Sequence, residues 1–96
     1  MMVIVSFYTS ISIAQTQVKG NIKDVSGEPL IGVSIKEKGT SNGTVSDLDG
    51  NFAITTSKSN FLQVSYIGYI SQEIKAENGK TLQIVLQENS EILEDV

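Results

Sequence analysis

Two carboxylates and a glycine fall within four positions at Asp47-Leu48-Asp49-Gly50. That spacing fits three chemistries: a calcium loop, an acidic catalytic pair, or a tight turn between strands. A calcium loop of the EF-hand kind needs oxygen ligands at its positions 1, 3 and 5, glycine at 6 and glutamate at 12. Counting from Asp47 puts Phe52 at the sixth position and Lys58 at the twelfth; placing Gly50 sixth puts Val45 first and Thr56 last. Neither register is complete. A catalytic pair needs a cleft that drives two carboxyl pKa values apart, and a turn between short strands offers little of one. The turn needs nothing extra. Asp47 can accept from backbone amides ahead of it, and Asp49-Gly50 suits a reversal between strands near Thr44–Ser46 and Phe52–Thr56.

Two further stretches carry polar or aromatic groups in suggestive order. Lys38-Gly39-Thr40-Ser41-Asn42-Gly43-Thr44 has the composition of a phosphate loop. It lacks the Gly-Lys-Ser/Thr that completes one, and no helix pattern follows to supply a dipole. Asn42-Gly43 as a hairpin turn is the simpler reading, with Asn42-Gly43-Thr44 also forming a glycosylation sequon relevant only in a eukaryotic secretory cell. In Val64-Ser65-Tyr66-Ile67-Gly68-Tyr69 the two tyrosines could stack on a sugar ring. The alternative is that Tyr66 continues the inward face of Val64 while Gly68 permits a turn or bulge.

Several chemistries have no residues to support them. The 96-residue chain has no Cys, His, Arg or Trp. Disulfides, thiolate nucleophiles, histidine bases, bidentate phosphate clamps and indole platforms are thereby excluded. No cofactor and no metal site is expected.

The elements that must position these groups follow a period of two, the signature of strands. Val18 and Ile22 alternate with Lys19, Asn21 and Lys23; Ile31, Val33 and Ile35 alternate with Gly32, Ser34 and Lys36. Phe52 and Ile54 follow, then Leu62, Val64 and Tyr66. Ile70, Gln72, Ile74 and Ala76 form one face of the next run, and Leu82, Ile84 and Leu86 close the series. Turn formers separate the runs at Ser26–Pro29, Asn42-Gly43, Asp49-Gly50, Gly68 and Asn78-Gly79. The pattern predicts an all-β domain, a small two-sheet β-sandwich of about seven strands. Positive φ is expected at Gly50 and Gly68.

Charge divides the chain. Residues 15–87 hold all seven lysines and seven of the eleven acids, so they are neutral; Glu88, Glu91, Glu94 and Asp95 supply the net −4. Neither part suits nucleic acid. Met1–Ala14 carries no charge and ends in Ser12-Ile13-Ala14, small residues at the spacing signal peptidase accepts, so 1–14 is read as a signal peptide cut after Ala14. Its basic start is missing, and it falls short of the roughly 20 residues of a membrane span. Residues 15–87 form the sandwich. Residues 88–96 read as an acidic linker too polar to order itself, with Ile92-Leu93 its one apolar pair.

Taken together, V-K-G-N-I-K-D, G-E-P-L-I-G-V, K-G-T-x-x-G-T, S-D-x-D-G-N-F and V-S-Y-I-G-Y occur in this order. The series resembles the carboxypeptidase-regulatory-like domain, a transthyretin-like (prealbumin-like) sandwich related to Ig-like folds. More narrowly it is similar to the copy at the N-terminus of SusC/RagA-type TonB-dependent outer-membrane transporters of Bacteroidetes. The resemblance covers residues 17 to 87 and implies no catalytic residue. It falls on Gly43, Asp47, Asp49, Gly50 and Gly68 as fold-defining turn residues. It also implies a non-enzymatic interaction or spacer module, exported to the periplasmic side of the outer membrane. Its partners would be the plug and barrel of the same transporter and TonB or another periplasmic protein. Ile92, Leu93, Glu94, Asp95 and Val96 resemble the approach to a TonB box and would be the partner-binding tail. The residues themselves leave two other readings open: a free-standing carbohydrate-binding or adhesion sandwich, and an accessory domain of a peptidase or glycan-degrading enzyme.

Overall fold

The computed structural model describes residues 15–77 and 79–89. The proposed leader at 1–14 and the tail residues Ile92, Leu93, Glu94, Asp95 and Val96 lie outside the described residues. Seven strands are present among those described: β1 (Thr16–Asp24), β2 (Ser34–Glu37), β3 (Gly43–Val45), β4 (Asn51–Thr56), β5 (Phe61–Ser65), β6 (Gln72–Lys75) and β7 (Leu82–Leu86). They form two sheets, β4-β1-β7 and β3-β2-β5-β6. The domain is the all-β sandwich expected. β1 and β7 pair in parallel, Gly20 opposite Leu82 through Asp24 opposite Leu86, and the other pairs are antiparallel. Odd-numbered strands therefore all finish at one end of the sandwich, here called the upper end, and even-numbered strands start there.

The inward faces are the alternating apolar positions. Val18, Ile22, Phe52, Ile54, Ile84 and Leu86 come from the first sheet and its margin, Val33, Ile35, Leu62 and Val64 from the second. Each such side chain contributes roughly 1.5–3 kcal/mol by leaving water. Gly20 occupies the inward position between Val18 and Ile22 because Phe52, its direct cross-strand partner, lays its ring there; a Cβ on Gly20 would overlap Phe52 Cε1 and Cζ.

Three expectations are corrected. Ile31 does not join the inward face but is 52% exposed. The Leu30 amide donates to the Ile22 carbonyl, Leu30 packs against the core, and Gly32 bends the chain (φ 79°), so alternation begins at Val33. Ile70 is likewise exposed, because Tyr69 packs inward in its place. Asn42-Gly43 is not the hairpin turn. β2 and β3 are joined through residues 38–42, with Glu37 N donating to Asn42 O and the left-handed residue at Gly39 (φ 78°). Gly43 lies inside β3 opposite Lys36, outside the positive-φ set.

Candidate functional site

The Asp47–Gly50 stretch connects β3 of one sheet to β4 of the other, so it is a crossing between layers rather than a hairpin. Its local geometry closes on itself. Gly50 N donates to Asp47 O at 2.9 Å and Asp47 N donates to Asn51 O at 2.9 Å. Asp47 Oδ1 accepts from Asp49 N (3.0 Å) and Asn51 N (2.9 Å). A short acceptor side chain held over its own following amides is what Asp does best in a turn. Gly50 takes φ 78°, as expected, and its carbonyl accepts from Ile22 N at 2.8 Å, tying the crossing to β1. Asn21 Nδ2 adds a bond to the Asp49 carbonyl (3.0 Å) and to Asn51 Oδ1 (2.7 Å). Among the described residues no three acidic side chains gather closely enough to hold a metal ion.

The same turn is built a second time from Asp24-Val25-Ser26-Gly27-Glu28. Gly27 N donates to Asp24 O, Asp24 N to Glu28 O, and Asp24 Oδ1 accepts from Ser26 N, Ser26 Oγ and Glu28 N. The Ser26 hydroxyl, with the Glu28 amide next, holds the Asp24 carboxyl below its ordinary pKa. Between the two turns lies Ser46, buried, whose Oγ accepts from Val33 N (2.9 Å) and donates to Leu30 O (2.6 Å).

A third upper turn, Tyr66-Ile67-Gly68-Tyr69, joins β5 to β6, with Tyr69 N donating to Tyr66 O and Gly68 at φ 86°. The tyrosine rings pack against the core and each other, centroids 5.4 Å apart. Burial, reinforced by the Glu88 charge, raises the Tyr69 pKa. β7 pairing runs past Leu86: Ile70 N donates to Gln87 O, Glu88 bridges Tyr69, and Asn89 N donates to Gly68 O at 2.9 Å.

At the lower end a group not singled out in the sequence holds the loops together. Glu37 is 1% exposed. One carboxylate oxygen accepts from Asn42 Nδ2 (3.1 Å) and Ser57 N (3.4 Å), the other from Lys58 N (2.8 Å) and Ser59 N (2.9 Å). Asn42 Nδ2 also reaches Thr55 O at 2.6 Å. The Asn42 amide and, against the cost of burial, these backbone donors lower the Glu37 pKa. The signal was in the alternation: Glu37 stands two residues after Ile35 on the inward period.

The turn geometry accounts for the order of the sequence motifs, and comparison with known proteins gives that order a family. The model of the CarboxypepD_reg-like domain matches residues 18–96. The chain belongs to the CarboxypepD_reg-like family. Over 82 residues it is 40% identical to the TonB-dependent receptor SusC of Bacteroides thetaiotaomicron, covering 85% of this chain and 8% of that receptor. Two TonB-dependent receptors of Formosa agariphila are 38% and 41% identical, covering 86% and 82% of this chain and 8% and 9% of theirs. The CarboxypepD_reg-like domain thus spans less than a tenth of these relatives. Among solved structures, a chain of a type II cohesin–X-dockerin complex from Acetivibrio cellulolyticus superposes with TM-score 0.58 at 19% identity, over 76% of this chain and 58% of that one. That likeness bears on the sandwich fold alone.

Proposed function

We propose that this CarboxypepD_reg-like domain is the exported, periplasmic N-terminal module of a SusC/RagA-type TonB-dependent outer-membrane transporter. It acts without catalysis, as an interaction and spacer domain between the energising machinery and the rest of the transporter. The observation that carries this reading is the 38–41% identity to TonB-dependent receptors over more than four-fifths of the chain. The polar motifs fit it: Asp24, Asp47, Ser46 and Glu37 each accept from the domain's own backbone amides. In this reading residues 1–14 are the leader, 15–87 the sandwich, and 88–96 the tail that reaches a partner, although its first two residues, Glu88 and Asn89, are bonded to the β5–β6 turn and belong with the sandwich. An extended segment pairs with an open sheet edge through backbone bonds, with Ile92, Leu93 and Val96 as anchors and the acids selecting a basic surface.

The test is titration of the TonB periplasmic domain against the 96-residue chain and against a chain ending at Asn89. Weak, salt-sensitive binding that falls when residues 90–96 are removed is expected. Equal binding by both chains would refute the docking role of the tail. N-terminal sequencing of the periplasmic product checks the leader, with Gln15 expected as its first residue.

A further inference from the structure

The three upper turns each carry an exposed aliphatic side chain at their second position. Val25 follows Asp24 and is 70% exposed, Leu48 follows Asp47 at 75%, and Ile67 follows Tyr66 at 94%. Turn chemistry asks nothing apolar of this position. The corresponding lower turn, Glu37-Lys38-Gly39-Thr40, closed by Thr40 N to Glu37 O, carries Lys38 there. Single exposed aliphatics are ordinary on protein surfaces, but their collection on one face marks an interaction site. Ile31 and Ile70 add to the same end. A shallow groove lined by Gly32, Tyr66 and Ile67 joins the third turn to the first loop.

Charge and chain direction single out the same face. The upper loops hold Glu28, Asp47, Asp49 and Glu88 and no lysine, whereas the lower loops set Lys38, Lys58 and Lys80 against Glu77, with Lys80 paired to Glu77 and Lys38 to Glu73. Asn89, bonded to the Gly68 carbonyl, delivers the chain beside Ile67.

We infer that the upper end is a docking face for the folded part of the polypeptide that follows the tail in the longer receptors, an apolar surface flanked by basic groups. The inference rests on the transporter reading above and adds the surface and the partner's chemistry. The relatives' length favours this occupant: the chain spans 8–9% of the receptors it matches, so most of their polypeptide is tethered to this domain. A stable complex between free proteins buries about 1,600 Å² in all. A tethered neighbour works at an effective concentration in the millimolar range, where a small face suffices.

The chain has no cysteine, so single cysteines report cleanly in it, and in the receptor each rate is read against the same polypeptide without the introduced cysteine. Leu48→Cys, Ile67→Cys and, at the lower end, Ser41→Cys are labelled with a maleimide in the 96-residue chain and in the receptor polypeptide carrying the domain. Labelling at positions 48 and 67 is expected to slow about tenfold in the receptor, with position 41 unchanged. Slowing at 41 instead would overturn the assignment of the face while leaving an interaction role intact. No slowing anywhere would overturn the docking face, while the tail's role would still be decided by the titration with and without residues 90–96. Slowing at 48 and 67 that already appears in the 96-residue chain and grows with its concentration would assign the face to a second copy and overturn the proposal.

Discussion

Gly50 and Gly68 share a backbone conformation and differ in what surrounds it, which allows the two costs of replacing a turn glycine to be separated. Both have φ in the left-handed region, 78° and 86°. A Cβ on Gly68 would meet nothing within 4 Å. Gly68→Ala therefore carries only the left-handed penalty of roughly 1–2 kcal/mol, offset by about 0.4–1 kcal/mol from the stiffer unfolded chain. A net loss of about 1 kcal/mol follows. At Gly50 the same Cβ would overlap the Ile22 carbonyl oxygen and lie 3.2 Å from Pro29 Cβ. That oxygen cannot give way freely, because it accepts from Leu30 N at 3.0 Å while Ile22 N donates to Gly50 O at 2.8 Å. Overpacking of this kind costs about 1–3 kcal/mol, and each backbone bond broken to relieve it about 1 more. Gly50→Ala is thus expected to cost about 3–5 kcal/mol in all. At roughly 0.05–0.15 kcal/mol per residue, a body of about 73 residues has only about 4–11 kcal/mol to lose. Urea unfolding followed by tyrosine fluorescence measures both variants. Asparagine, which tolerates positive φ, divides the terms further: Gly68→Asn should recover most of the alanine loss and Gly50→Asn should not. Equal losses at the two positions, or rescue by asparagine at 50, would refute the contact argument.

Ser46→Ala removes the acceptor of the buried Val33 amide and should cost about 1–3 kcal/mol in the same urea assay; a loss below experimental error would show that amide to be solvated. Glu37 has its pKa lowered in the fold, so its stabilisation is present above the ordinary carboxylate range and is lost as pH falls through the folded value. Urea midpoints measured downward from about pH 5 should fall less steeply in Glu37→Gln than in the parent, and parallel profiles would count against the charge. Calcium at millimolar concentration should leave the melting temperature unchanged; micromolar binding by calorimetry, abolished in Asp49→Ala, would restore the ion-site reading. Leu48→Ser should change stability by no more than about 0.5 kcal/mol, and a larger loss would mean the tip supports the fold.

The strands were legible because a half-buried strand writes its burial directly into sequence at period two. Val18, Ile35, Ile54, Leu62, Val64, Ile84 and Leu86 all sit inside as that pattern requires. Glu37 was legible on the same rule, but its charge argued against burial until the amides of residues 57–59 came into view. Ile31 was misread because one glycine resets the alternation, and Gly43 because the flexibility of a glycine does not reveal whether it turns the chain or lets a partner close in. Its own Cβ would lie 3.0 Å from the Ile35 carbonyl oxygen. Local turn chemistry also says nothing about which sheet receives the next strand. The crossing at Asp47–Gly50 and the parallel pairing of β1 with β7 depend on long-range closure of the core.

The duplicated turn explains how one end of a small domain can vary its surface without risking its fold. In both copies the carboxylate of the first residue and the amides two and four positions on fix the backbone. The second residue makes no side-chain hydrogen bond and stays 70% exposed as Val25 and 75% as Leu48, so the turn depends little on what occupies it. Val25 and Leu48 are therefore not demanded by the architecture, unlike Ile22 or Val33 beside them, which are fully buried. An aliphatic side chain kept in water at such a position forgoes the roughly 25 cal/mol per Å² that burial would return. Placed at three turns of one end and replaced by lysine at the matching turn of the other, these side chains gain that energy only when another surface covers them.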